Sequence, residues 1–200
     1  MIKQGKNKDL NYQMNLFKEI ILKNNVLKTI LERLEGYGLD NYYVAAGAIN
    51  QTVFNYYHNN SMNYLIDDYD IVYYDEDLSY EKEDKIIKEI NLLCKDLNVS
   101  LDIKNQARVH LWFKNKFGYS IEPNKSVEDA ISKWGSTVTC IGVRLKNNEL
   151  TIFAPYGLND LFSLIIRPNK ENFIKKGYEE KTRKWKQNWP KLTIIPWDND

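Results

Sequence analysis

The sequence has no apolar run approaching the roughly 20 residues that a helix needs to cross a bilayer. The segment Met1 to Asp9 is polar and lysine-rich, with no apolar stretch behind it, so neither a membrane span nor a signal peptide is expected and the location is expected to be cytoplasmic. Cysteine is scarce: Cys94 and Cys140 stand far apart, outside any CxxC spacing and away from histidine. That argues against a disulfide framework or a zinc site and for two reduced, buried thiols. An excess of one charge is also missing. With 28 basic and 27 acidic residues the formal net charge is +1, which gives no general attraction to nucleic acid, so extended nucleic-acid binding is not expected. Internal repeats and low-complexity tracts are absent. What is present is enough apolar material for one core, 43% hydrophobic and 13% aromatic over 200 residues. One domain over 1–200 is expected, divided into an N-terminal helical segment (1–38), a core (39–169) and a basic, tryptophan-rich C-terminal segment (170–200).

Apolar residues from Leu10 to Leu34 recur at helical spacing, predicting one long helix or two broken near Asn24-Asn25, ended by Gly36 and Gly38. Tyr42-Tyr43-Val44 reads as a short strand, Ala45-Ala46-Gly47 as a tight turn, and Ala48 to Tyr57 as a helix. After a polar loop comes an acidic strand ending at Asp75, then a helix over Leu78 to Leu97, then Val99 to Ile103 alternating as a half-exposed strand does. The stretch Asn105 to Phe117 reads equally as helix or irregular structure. A short helix is predicted over Val127 to Trp134, and strands Thr137 to Leu145 and Leu150 to Phe153 form a hairpin through Asn147-Asn148. Gly157 to Ile165 and Lys170 to Trp185 are predicted helical, with an extended end broken by Pro190 and Pro196.

The chemistry concentrates in Asp68-Tyr69-Asp70. Two apart on one strand, these carboxylates project from the same face, and hard divalent cations such as Mg²⁺ take oxygen ligands of this kind together with substrate phosphates. Asp102 offers a third acid on the next strand. Ahead of them, the turn at Gly47 opens a helix whose first backbone N–H groups suit phosphate, although Gly47 also reads as a plain turn glycine. Opposite it, the three acids would hold two metal ions that neutralise a transferring phosphoryl group. Asp67 points to the other face and Asp75 lies at the far end of the strand, which makes both surface or capping residues.

Several polar side chains nearby have two readings each. Lys104, on the same strand face as Asp102, could contact phosphate or pair with an acid. Arg108 and His110 could read a substrate, and for Asn105 and His110 a buried polar network is an equal reading. Arg144 and Arg167 could contact phosphate, or form structural salt bridges with Asp160 or another acid. Trp112 and Trp134 are expected in the core. Trp185, Trp189 and Trp197 could stack on bases, but packing of the tail onto the domain is the preferred reading.

This order of strand, glycine turn, helix, Asp-x-Asp strand, helix and acid-bearing strand resembles the nucleotidyltransferase fold of the DNA polymerase β superfamily. More closely, the chain resembles a bacterial family of uncharacterised nucleotidyltransferase-like proteins. The resemblance runs through Ala45 to Ile49, Asp68 to Asp75, Lys104 to Trp112, Ala154 to Phe162 and Arg167 to Asn169. It implies an α+β fold, a small mixed β-sheet packed with helices. It also implies a metal-dependent enzyme that moves a nucleoside monophosphate from an NTP to a hydroxyl acceptor the sequence does not identify, with Mg²⁺ or Mn²⁺ as cofactor. Asp68 and Asp70 become ligands of both metals, and Asp102 a third ligand near enough to help deprotonate the hydroxyl. Gly47 and Ala48 line the phosphate pocket, assisted by Asn50, Gln51, Lys104 and Arg108. Ala48 stands where the superfamily usually carries serine or glycine, which motivates the alternative of a catalytically degenerate module binding nucleotide or protein. Asp70 with Asp102-Ile103-Lys104 also fits a metal-dependent nuclease pattern, the less favoured alternative.

Overall fold

A computed structural model describes residues 2–199. Eight α-helices and a mixed five-stranded sheet make an α+β fold among these residues. Helix α1 (Leu10–Lys23) begins where the Asp9 carboxylate accepts from the N–H of Tyr12 at 2.9 Å. The helical stretch does break at Asn24, whose Oδ1 caps α2 (Asn25–Tyr37) through the N–H of Leu27. Gly38, at φ 76°, closes α2 in the left-handed conformation that glycine adopts without cost.

Strand β1 (Tyr42–Ala45) leads into α3 (Gly47–His58), and β2 (Asp68–Tyr73) returns antiparallel to β1. Helix α4 (Tyr80–Leu93) then crosses over to β3 (Ser100–Asn105), which lies parallel to β2. After a 3₁₀ turn at Gln106–Arg108, helices α5 (Val109–Phe117) and α6 (Val127–Ser132) precede the hairpin of β4 (Gly142–Lys146) and β5 (Glu149–Phe153). The sheet order is β3-β2-β1-β4-β5. Asn147 and Asn148 turn the hairpin at φ 53° and 58°, the doubly left-handed geometry that matches strand twist and tolerates asparagine. The predicted strand from Thr137 begins only at Gly142, because Ser136 and Thr139 bond each other's backbone and side chains in a closed turn. The helix predicted over Gly157 to Ile165 contracts to α7 (Asn159–Phe162), after which β6 (Ile165–Ile166) pairs in parallel with β7 (Thr193–Ile194).

One sheet face carries the main core. Val44, Tyr69, Ile71, Tyr73 and Ile103 pack there with the apolar sides of the first three helices. The tail joins the same core through α8 (Lys175–Asn188): Trp185 and Trp189 are 5% and 1% exposed, and the Trp189 indole donates to Asn55 Oδ1 at 2.8 Å. Packing, not base stacking, is therefore what these two tryptophans do. On the opposite face Tyr43, Ala45 and Val72 meet Val127, Ile131 and Cys140 in a smaller cluster. The acids of β2 continue that face, since side chains alternate along a strand.

The corner between β1 and α3 is tight. Ala46 holds φ 51° and ψ −124°, a conformation costly for a residue with a Cβ. Ala46→Gly is expected to raise thermal stability by about 1 kcal/mol, the relieved strain exceeding the extra freedom glycine adds to the unfolded chain. Melting curves of the two proteins, with no change or a fall in Tm for Ala46→Gly, would refute a strained corner.

Candidate active site

Side-by-side pairing of β2 and β3 sets Asp70 opposite Asp102 and Asp68 opposite Ser100, while β1 on the other flank sets Ala45 opposite Asp70. The three acids therefore share one sheet face, next to the corner at Ala46. Asp68 is exposed and Asp70 half-buried. Burial, reinforced by the Asp68 and Asp102 charges and opposed by Lys181 and Lys104, pushes the Asp70 carboxyl up to about 6. Asp102 is held by the ammonium of Lys104 in a close ion pair. Among the described residues no three Asp, Glu, His or Cys side chains converge into a set that grips a metal ion. The donor chemistry nevertheless fits a hard divalent cation: these are anionic oxygens, and burial together with the neighbouring acids raises one of them toward neutrality.

Helix α3 starts without a side-chain cap. The N–H groups of Ile49 and Asn50 bond the carbonyl of Ala46, which leaves those of Gly47 and Ala48 as the open donors of the first turn. Gly47 is not left-handed, and a Cβ there would meet only the end of Gln51, at 3.5 Å. Its bareness thus gives room above the turn rather than a special backbone angle. The Ala48 methyl is buried in the core, so only its backbone faces a ligand. Asn50 is fully buried, and neither its Nδ2 nor its Oδ1 has a hydrogen-bond partner.

Arg108 lies elsewhere. Its guanidinium pairs with buried Glu83 and donates through Nε to the carbonyl of Leu78 at 3.0 Å. Glu83 also accepts from the N–H of Asn105, and Asn105 bonds the backbone of Asp75 and Asp77. The polar segment after β3 is thus a structural knot, and Asp75 pairs with Lys82 within it. Arg167 pairs with Asp160, and the Arg144 guanidinium stacks 4.9 Å from the Tyr43 ring centroid.

A cavity of about 370 Å³ opens beside the acids, lined by Ala46, Asp70, Asp102 and Lys104 on the sheet side. Trp112 is not a core residue: it and Trp134 are both half-buried and wall this cavity, Trp134 while packing against the smaller apolar cluster. Helix α8 roofs it. Tyr178, Thr182 and Trp185 anchor that helix in the protein, which sets Lys181 on the flank facing Asp70 and Asp68. Lys181 is exposed as a residue, and desolvation at the cavity pushes its ammonium pKa down while Asp70 and Asp68 pull it up. Sequence reasoning missed it; the signal was its place one step aside from the buried Tyr178-Thr182-Trp185 stripe.

Folding raises the Asp70 pKa, so the folded chain binds that proton more tightly than the unfolded one. Stability from this group falls as pH rises from about 4 to about 6, and the deficit persists above that. Asp70→Asn is expected to be more stable than the parent by roughly 1 to 3 kcal/mol at about pH 8 in chelator, with the gain gone at about pH 4. Thermal melts across that range test it, and a gain independent of pH would rule out the charge as its origin.

The family model of a nucleotidyltransferase matches residues 32–194. A protein whose NMR structure reveals a CCA-adding enzyme head domain superposes with a TM-score of 0.76 at 22% identity, covering 98% of this chain and 100% of that one, a likeness of fold. No curated protein matches the chain. The match to the family model spans the acid strands, the Ala46 corner and most of the roofing tail, and the chain belongs to this nucleotidyltransferase family.

Proposed function

We propose that the protein is a divalent-cation-dependent nucleotidyltransferase that moves a nucleoside monophosphate from an NTP to a hydroxyl acceptor and releases pyrophosphate. The observation that carries this reading is the register of Asp70 against Asp102, with Asp68 on the same face, beside the uncapped start of α3. Asp68, Asp70 and Asp102 are the residues that would hold Mg²⁺ or Mn²⁺, whose charge would stabilise the transferring phosphoryl group and the departing pyrophosphate. The N–H groups of Gly47 and Ala48 would donate to phosphate oxygens at the positive end of the α3 dipole. Asp102, once released from Lys104, would accept the proton of the attacking hydroxyl, and the freed ammonium of Lys104 would turn to phosphate. Lys181 balances Asp68 and Asp70 until substrate arrives. The walls formed by α5 and α8 would limit water as a competing acceptor.

Two observations favour a second reading, a module that binds nucleotide without turnover. Asp102 is already neutralised by Lys104, and Ala48 brings no hydroxyl to the phosphate turn.

Incubation with labelled NTPs, Mg²⁺ and cell extract is expected to give metal-dependent label transfer with pyrophosphate release, reduced at least about 100-fold in Asp68→Ala/Asp70→Ala. Transfer that survives in that variant would sink the proposal, and NTP binding by the parent without transfer would favour the second reading. Removing the cation that occupies Asp102 should also matter: Lys104→Ala is expected to tighten Mn²⁺ binding by about two- to fivefold in an EPR titration. Unchanged or weaker Mn²⁺ binding would show that Asp102 lies outside the cation site.

A further inference from the structure

The far wall of the cavity has so far been given only the part of limiting water, which does not explain its composition. Beyond Asp102 the chain passes Lys104 and the 3₁₀ turn at Gln106 into α5, whose Trp112, Phe113, Lys116 and Phe117 all line the same space. The rings form a connected group: Phe113 and Phe117 have centroids 4.5 Å apart, Trp112 and Phe113 6.2 Å, and Tyr119 meets Phe113 edge-on at 5.2 Å. Lys116 stands over Trp112 and Phe117 at 5.6 and 5.4 Å from their centroids. Such a cluster in a core would be sealed. Here Trp112 and Phe113 are half-buried and Phe117 is 46% exposed.

Two amides at the cavity complete the pattern. Gln106 and Asn124 are 4% and 6% exposed, and Asn124 Nδ2 donates to the Gln106 carbonyl at 3.1 Å. The Gln106 amide makes one long contact, Nε2 to the Lys104 carbonyl at 3.5 Å, and no hydrogen bond among the described residues reaches Gln106 Oε1 or Asn124 Oδ1. Planar apolar faces bordered by amide groups are the chemistry that recognises an unstacked nucleobase: the ring stacks and its edge is hydrogen-bonded. A cation beside the rings adds to such stacking.

We infer that this wall is a base-binding subsite. Trp112, Phe113 and Phe117 stack the base of the nucleoside triphosphate, and Gln106 with Asn124 reads its edge, while the phosphates lie toward Lys104 and the acids. The inference rests on the nucleotidyl-transfer reading and adds where the base goes and what selects it. A substrate held this way gains affinity from its base as well as from its phosphates, and prefers one base over others.

Calorimetric binding of the four NTPs and of inorganic triphosphate separates the two contributions. Trp112→Ala is expected to weaken NTP binding by about 5- to 100-fold while changing triphosphate binding less than about twofold, and Trp112→Phe is expected to restore most of the loss. Gln106→Leu is expected to narrow the spread of affinities among the four NTPs. Equal losses for NTP and triphosphate, or no loss for either, would overturn the subsite. So would unchanged NTP binding with a raised acceptor KM, which would assign the wall to the acceptor. A parent protein that binds neither NTP nor triphosphate would bring down the transfer reading and this inference together. NTP binding independent of Trp112 would remove the subsite alone.

Discussion

Parallel pairing of two strands requires the chain to leave the sheet, cross it and re-enter in the same direction, and in this protein that detour between β2 and β3 decides where every acid stands. The crossover is α4, and its packing fixes the register at Asp70 opposite Asp102. A slip by one residue would turn Asp102 onto the core face and bring Leu101 and Ile103 out to the acids. Such a slip is opposed by Ile71, Tyr73 and Ile103, which bury on the far face with the first three helices. The apolar side of these strands therefore holds the charged side in place.

The cost of that placement is electrostatic. Crowding three carboxylates on two neighbouring strands, with Asp70 half-buried, leaves a negative site that water does not fully screen. Lys104 and Lys181 offset it from opposite sides, one from the same strand and one from the roof. The site is thus a balance of removable partners: one divalent cation would bring the same two positive charges that the two ammonium groups supply. Such an arrangement keeps the acids soluble in the fold while leaving them free to change partners.

The roof depends on aromatic burial far from the acids. Trp185 and Trp189 seat α8 against Phe54 of α3, so the helix that starts at the Ala46 corner and the helix that closes the cavity pack on each other. The structural knot of Glu83, Asn105 and Arg108 similarly fixes the exit of β3 and hence the angle at which α5 leaves it. Arg108 was a natural candidate for substrate contact because a charged residue in a polar segment has that look in sequence. Its burial with Glu83 is a tertiary pairing that no local pattern announces.

Much of this protein is local and could be read in one dimension. Helical and strand periods marked nearly every element, the Asn147-Asn148 turn fixed the hairpin, and Asp-x-Asp on a strand placed two carboxylates on one face, because these follow from backbone geometry and neighbouring side chains. The order of elements carried the resemblance to a nucleotidyltransferase for the same reason. The tertiary structure alone decided the rest: that Thr137 to Ile141 folds as a closed turn, that Trp112 and Trp134 wall a cavity, that Lys104 occupies Asp102, and that Lys181, more than a hundred residues from Asp68 and Asp70 in sequence, faces those two acids. Each of these depends on which surfaces meet when the tail packs across the sheet, and contacts between distant segments leave no periodic trace in the chain.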